Sequence, residues 1–176
     1  MKRLLAVIVL CCMMFAGCGI VKNYKPVNKD AFIAACEKYE IKYSEGVLRN
    51  EDFRNGIEGV TYSLFANKGE ASKVNNEEPN STVVRWADFY TAYYLEFVSE
   101  ESAKLFYKNC VATMLPLEEN GYKAKFQDIN VEVYDHETSG SYSAIARSGN
   151  KVFYIKCLSQ LEYKDEAKQF AAMVLE

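Results

Sequence analysis

The chain has 176 residues, is 49% hydrophobic and 14% aromatic, and carries a formal charge of −3. So much apolar and aromatic material argues against a disordered chain. The acidic balance argues against a nucleic-acid partner, whose affinity rests on basic surface.

In chain order, Lys2 and Arg3 give a basic start, Leu4 to Phe15 is an uncharged apolar run, and Ala16-Gly17-Cys18 ends it with two small residues before a cysteine. Such an order is that of a secretory signal with a processing site. The run falls short of the about 20 apolar residues a spanning helix needs. These residues resemble the bacterial lipoprotein signal, the lipobox, with Phe15 standing three before the cysteine where Leu is usual. The resemblance implies that residues 1–17 are removed and that Cys18 is acylated. The protein would then be held on the extracytoplasmic face of the cell membrane, each buried CH₂ contributing about 0.8 kcal/mol. Residues 18–28 are expected to form a polar tether, with Pro26 opposing helix, and 29–176 a single domain.

Without Lys2 and Arg3, 19 of the 21 basic side chains face 24 acids, which disfavours electrostatic adhesion to anionic lipid. Cys11 and Cys12 leave with the signal, so Cys36, Cys110 and Cys157 are the remaining thiols. No two lie at zinc-ligand spacing. Each falls on an apolar face and is expected to act as a small buried hydrophobe, with one internal bridge left open.

Helix is expected from Asn28, an N-cap whose neighbour Val27 staples onto Phe32. Phe32, Ala35, Cys36 and Tyr39 recur at helical spacing. Val60 to Ala66 alternates as a strand, with Val60, Tyr62 and Leu64 on one side. Asn67 to Thr82, rich in Lys, Glu, Asn and Ser, reads as a polar surface loop. Arg85 to Val98 is β-prone, with Trp86 as an edge-of-core residue. Tyr93, Leu95 and Phe97 face one way, Tyr94 and Glu96 the other. Ser99 caps a second helix with Glu100 and Glu101 in its first turn, Ala103, Phe106, Tyr107, Cys110 and Met114 on its inner face, and Pro116 as its stop. Tyr122 to Tyr134 reads as one strand and Asp135 to Ser141 as a turn. Tyr142–Arg147 and Lys151–Leu158 form a hairpin across Ser148-Gly149-Asn150. A last helix starts near Leu161, with Tyr163, Ala167, Phe170, Ala171 and Val174 inward.

Tyr94-Leu95-Glu96-Phe97-Val98-Ser99 is echoed by Tyr154-Ile155-Lys156-Cys157-Leu158-Ser159, and each is followed by a helix containing Ala-Lys-x-Phe. The echo predicts that Leu95 and Ile155 enter one core. Strands in groups with helices between them give an α+β class: a two-layer sandwich, about five antiparallel strands with about three helices on one face. The other face is left wet.

The order of lipobox, tether, Lys-Asp-x-Phe helix, Tyr-x-Glu-Phe strand end, Ser-Glu-x-Ala-Lys helix, Tyr142/Arg147/Asn150 hairpin and terminal Tyr-Lys-Asp-Glu helix is similar to small lipoproteins of unassigned role in Gram-positive bacteria. The resemblance brings no catalytic or binding residues.

Neither a Walker loop nor a dinucleotide fingerprint is present, and the acids Asp128, Glu132, Asp135 and Glu137 lack the calcium-loop order. His136 is the only histidine. Lying in the polar turn, it has no marked Ser and Asp partners for a triad. No enzyme activity, metal or cofactor is expected. The candidate interaction surface is the wet sheet face, where Tyr94, Glu96, Tyr154 and Lys156 would lie together, Glu96 pairing with Lys156 across strands. A non-enzymatic binding module for a protein or peptide is the expected function; a structural or assembly subunit of an envelope complex is the alternative, and an enzyme with an unrecognised site the third reading.

Overall fold

The computed structural model describes residues 23–49, 57–75, 82–114, 121–126, 129–157 and 161–176, without the side chains of 70–75, 82–87, 121–126 and 161. The signal, Cys18, Pro116 and the side chain of Trp86 lie outside what is described. The elements are α1 (Lys29–Lys38), β1 (Tyr43–Glu45), β2 (Val60–Asn75), β3 (Thr82–Phe97), α2 (Glu100–Met114), β4 (Gly121–Phe126), β5 (Ile129–Glu137), β6 (Tyr142–Ser148), β7 (Lys151–Cys157) and α3 (Leu161–Leu175). The strands form one antiparallel sheet in the order β1-β2-β3-β7-β6-β5-β4. The class is α+β, and the described residues form three helices and seven strands where about five strands were expected. No helix among the described residues is long and apolar enough to cross a membrane.

Local chemistry explains most element ends. Asn28 Oδ1 accepts from the Asp30 amide at 2.7 Å and caps α1. That helix ends in a Schellman turn, Ile41 N–H donating to Cys36 O at 2.8 Å and Glu40 N–H to Glu37 O at 3.2 Å. Ser99 Oγ accepts from the Ser102 amide at 3.1 Å and opens α2. The β6–β7 turn has Gly149 at φ +57°, a left-handed conformation that suits glycine. Asn150 fastens this turn to the end of β3: its Nδ2 donates to Phe97 O, and its own carbonyl accepts from Phe97 N, both at 2.9 Å.

Three boundaries differ from the sequence expectation. Asn67 to Thr82 is not all loop: β2 continues to Asn75 and β3 starts at Thr82, while 76–81 lie outside the described residues. Polar residues without apolar alternation hid this pairing in the sequence. Tyr122–Tyr134 is two strands, β4 and β5, paired from Gly121↔Tyr134 to Phe126↔Ile129. The expected tether is docked from Tyr24 onward. Tyr24 and Val27 are buried, Lys25 N–H donates to Leu175 O at 2.6 Å, and Val27 N–H to Ser148 Oγ at 2.8 Å.

The helices are divided between the two faces of the sheet. Tyr94, Ala92, Phe153, Ile155, Ala144 and Val133 pack with Phe32 of α1 and Phe170 of α3 in one cluster. Tyr93, Leu95, Val152, Tyr154, Ile145 and Tyr134 pack with Phe106 and Cys110 of α2 in another. The molecule is therefore layered helix, sheet, helix, and both faces of its central strands are dry. A continuous row of buried positions along β6 and β7 follows from that. On the same side of the sheet, Arg147, 3% exposed and paired with Val152, donates to Glu132 at 2.8 Å and to Glu100 at 2.9 Å. It ties β5 and β6 to the start of α2.

Candidate functional site

The expected interaction surface does not exist as a surface. Tyr94 is 0% and Tyr154 5% exposed. They also lie on opposite faces, because β3 and β7 pair Tyr93 with Tyr154 and Tyr94 with Phe153. Each rung joins an odd residue number to an even one, so equal parity means opposite faces. The echo fails for the same reason: Leu95 pairs with Val152 and Ile155 with Ala92, in different clusters. Glu96 pairs with Lys151, not Lys156, which stands across from Thr91. Both Glu96 and Lys156 are half-buried. Glu96 instead accepts the Tyr94 hydroxyl at 2.6 Å, which allows that phenol to be buried.

All three described cysteines are buried and unbridged. Cys36 and Cys157 lie on one side of the sheet and Cys110 on the other, which forbids a Cys36–Cys110 bond without refolding. Burial pushes the Cys36 and Cys110 thiols up to about 12. His136 pairs across strands with Ser143. Among the described residues no three His, Cys, Asp or Glu side chains converge as a metal site.

What the fold does build is a cavity of about 220 Å³ between α3, the β5–β6 end of the sheet and the incoming chain at Tyr24. Its origin lies in side-chain size. Ala144 on β6 faces Ala171 and Ala172 on α3, and these small residues leave the gap between helix and sheet unfilled. Val133 and Leu175 complete an apolar floor, and Tyr24, Asp135, Tyr142, Lys168 and Glu176 supply the polar lining. Tyr142 is 5% exposed. Burial pushes its phenol up, and the charges of Asp135, Glu137 and Glu176 add to the effect, so the hydroxyl stays protonated. Glu137 is held below the usual carboxylate range by hydrogen bonds from Lys168 and Lys164, at 2.6 and 3.0 Å.

Lys168 therefore stands at the rim with its charge already met by Glu137. Asp135 reaches the cavity from the alternate position to His136, which the strand turns the other way. Sequence reasoning had Asp135 in an acidic stretch and Tyr142 in a hairpin motif, but did not join them. The one signal available was the small-residue pattern Tyr142-x-Ala144-x-Ala146 opposite Ala171-Ala172. Comparisons with protein-family models, with curated proteins and with solved structures find no match.

Proposed function

We propose that the protein is a membrane-anchored extracytoplasmic lipoprotein, acylated at Cys18, whose domain is a non-enzymatic binding module with the α3 cavity as its ligand site. The observation that carries the reading is that cavity: a preformed concave space with an apolar floor and a polar lining that includes the Tyr24 and Tyr142 side chains. Binding sites are commonly built of apolar walls with a few convergent polar groups. At about 220 Å³ the space is below the usual range of about 300–1,000 Å³ for drug-sized ligands, so it suits a single small group. The lipobox-like ending Ala16-Gly17-Cys18 supports the tether. A short span from Cys18 to the docked Tyr24 supports a body held close to the bilayer.

Two measurements test this. Growth with an alkyne-tagged fatty acid should label the wild type and not Cys18→Ser; an unlabelled wild type recovered from the cytosol would remove the anchor. Ligand-observed NMR with small-metabolite mixtures should give binding that Ala171→Phe, which fills the cavity, abolishes while circular dichroism stays native. Binding that survives the filled cavity would refute the site.

A second reading, an assembly subunit of an envelope complex, is favoured by one feature. Beyond Gly69↔Asp88, β2 and β3 continue as a two-stranded arm of six rungs, and among the described residues no third strand flanks it. An open strand edge is a ready template for pairing with another chain.

A further inference from the structure

We propose that residues 24–27 are a strap that gates the α3 cavity: the strap caps the end of α3 while it closes one wall of the space, and it lets go as a unit, ahead of the sheet, to admit a ligand. The inference rests on the cavity being the ligand site and adds how access to it is controlled. Its first support is the clasp. Lys25 N–H donates to Leu175 O at 2.6 Å, the Lys25 ammonium donates to the Glu176 main-chain oxygen, and Val27 N–H donates to Ser148 Oγ at 2.8 Å. A helix leaves its last carbonyls without partners of its own, and a lysine there also meets the negative end of the dipole. Lys25 thus caps α3 from 151 positions before Glu176. The second support is the wall. Tyr24 on the strap lines the cavity, and so do Leu175 and Glu176 at the helix end that Lys25 holds.

The floor shows why a gate is needed. Val133, Ala144, Ala171 and Leu175 are each 2% exposed or less, so with the strap in place solvent barely reaches them. Release of the strap removes the Tyr24 wall and uncaps the last turn of α3, which widens the space from two sides and leaves the sheet as it was. The strap is also built to separate. Its backbone belongs to no strand, and Pro26 has no N–H to donate. It is closed by the clasp and by the buried side chains of Tyr24 and Val27, whereas β6 is laddered on both sides by β5 and β7. Segments held without ladder bonds open at a lower free energy than a sheet core. Asn28, which caps α1, marks the fixed end of the strap. The other end leads toward Cys18, so a pull on the proposed anchor loads the Lys25 clasp before the sheet.

Thiol labelling of the full chain in zwitterionic detergent micelles tests the gate. Ala144→Cys puts a thiol on the cavity floor, and methyl methanethiosulfonate converts it to the methyl disulfide with loss of methanesulfinate. Peptide mass mapping follows that thiol beside Cys36 and Cys110, which are buried in the two clusters and report opening of the core. With each rate taken relative to the denatured chain, the introduced thiol should react at least about tenfold faster than the core thiols. Lys25→Met and Ser148→Ala should each speed it about fivefold further, the effect of one hydrogen bond, and leave Cys36 and Cys110 unchanged. An introduced thiol that reacts no faster than the core, clasp variants that leave its rate unchanged, or variants that speed all three thiols together each overturn the gate. Ala171→Cys repeats the measurement from α3 if Ala144→Cys alters the circular dichroism. Labelling needs no ligand, so its failure strikes the gate alone, while failure of the site itself shows in the metabolite titration with Ala171→Phe.

Discussion

Tyrosines show how much a residue's role depends on its surroundings. Tyr90, Tyr93 and Tyr94 are among the largest fully buried side chains, in a chain with 13 tyrosines. Tyr90 donates to Glu166 Oε1 at 2.7 Å and Tyr94 to Glu96 Oε1 at 2.6 Å, so each phenol keeps a partner as its ring is buried. Truncating Tyr94 or Tyr154 to Ala is accordingly expected to destabilise the fold by about 3–5 kcal/mol each, as for large aromatic truncations in cores. Urea unfolding of the two variants measures it; a change below about 1 kcal/mol would mean that these rings are not core. The thiols give a second residue-scale test. With Cys36 and Cys110 pushed up to about 12, they remain protonated near pH 8 and should resist iodoacetamide in the native protein, reacting only in denaturant, as peptide mass mapping would show. The sign for stability follows. The folded values lie above the ordinary 9.0, so this contribution is complete below about pH 9 and is lost as pH rises toward 12.

At the scale of elements, caps and turns were legible and registers were not. Asn28, Ser99 and Gly149 stand where the sequence placed helix starts and a hairpin turn, because each acts through atoms a few residues away. The end of α1 carries a cost that glycine would relieve. Glu40 occupies the left-handed C′ position of the Schellman turn at φ +53°. Glu40→Gly should therefore stabilise the protein by about 0.5–1 kcal/mol, less whatever freedom glycine adds to the unfolded chain. A fall in thermal midpoint for this variant would show that the Glu40 side chain does more than tolerate the turn. The arm illustrates the opposite case. Phe89 is the extra residue where the register shifts between Lys68↔Tyr90 and Gly69↔Asp88, and its ring stacks on Tyr163 of α3 at 4.1 Å. This stacking anchors the base of a ribbon whose sequence alternates too weakly to announce a strand.

For the whole molecule, the layering decides which functional readings survive. With α1 and α3 on one side and α2 on the other, the central strands offer no open face, and the proposed binding falls to the cavity at the edge of α3 and the alternative assembly role to the arm. The arm extends roughly 20 Å at strand rise, and a two-stranded ribbon of that kind is marginal by itself. If it pairs with a second copy, sedimentation velocity should show a concentration-dependent dimer that shrinks to monomer when residues 70–87 are replaced by a short turn. A monomer across the accessible range would leave the assembly reading without its support.

The sequence by itself determined the class, the three described helices with the caps of the first two, the β6–β7 hairpin and the apolar faces, because these follow from side-chain periodicity and contacts a few residues apart. It also carries the lipobox-like signal from which the anchor is proposed. Only the tertiary structure decided which faces meet. Strand alternation gives two sides without saying which side of one strand matches which side of the next; the β3–β7 register set that, sending Tyr94 and Tyr154 apart. The cavity likewise needed Ala144 and Ala171 to be brought together from segments far apart in the chain, a coincidence of packing that no local pattern encodes.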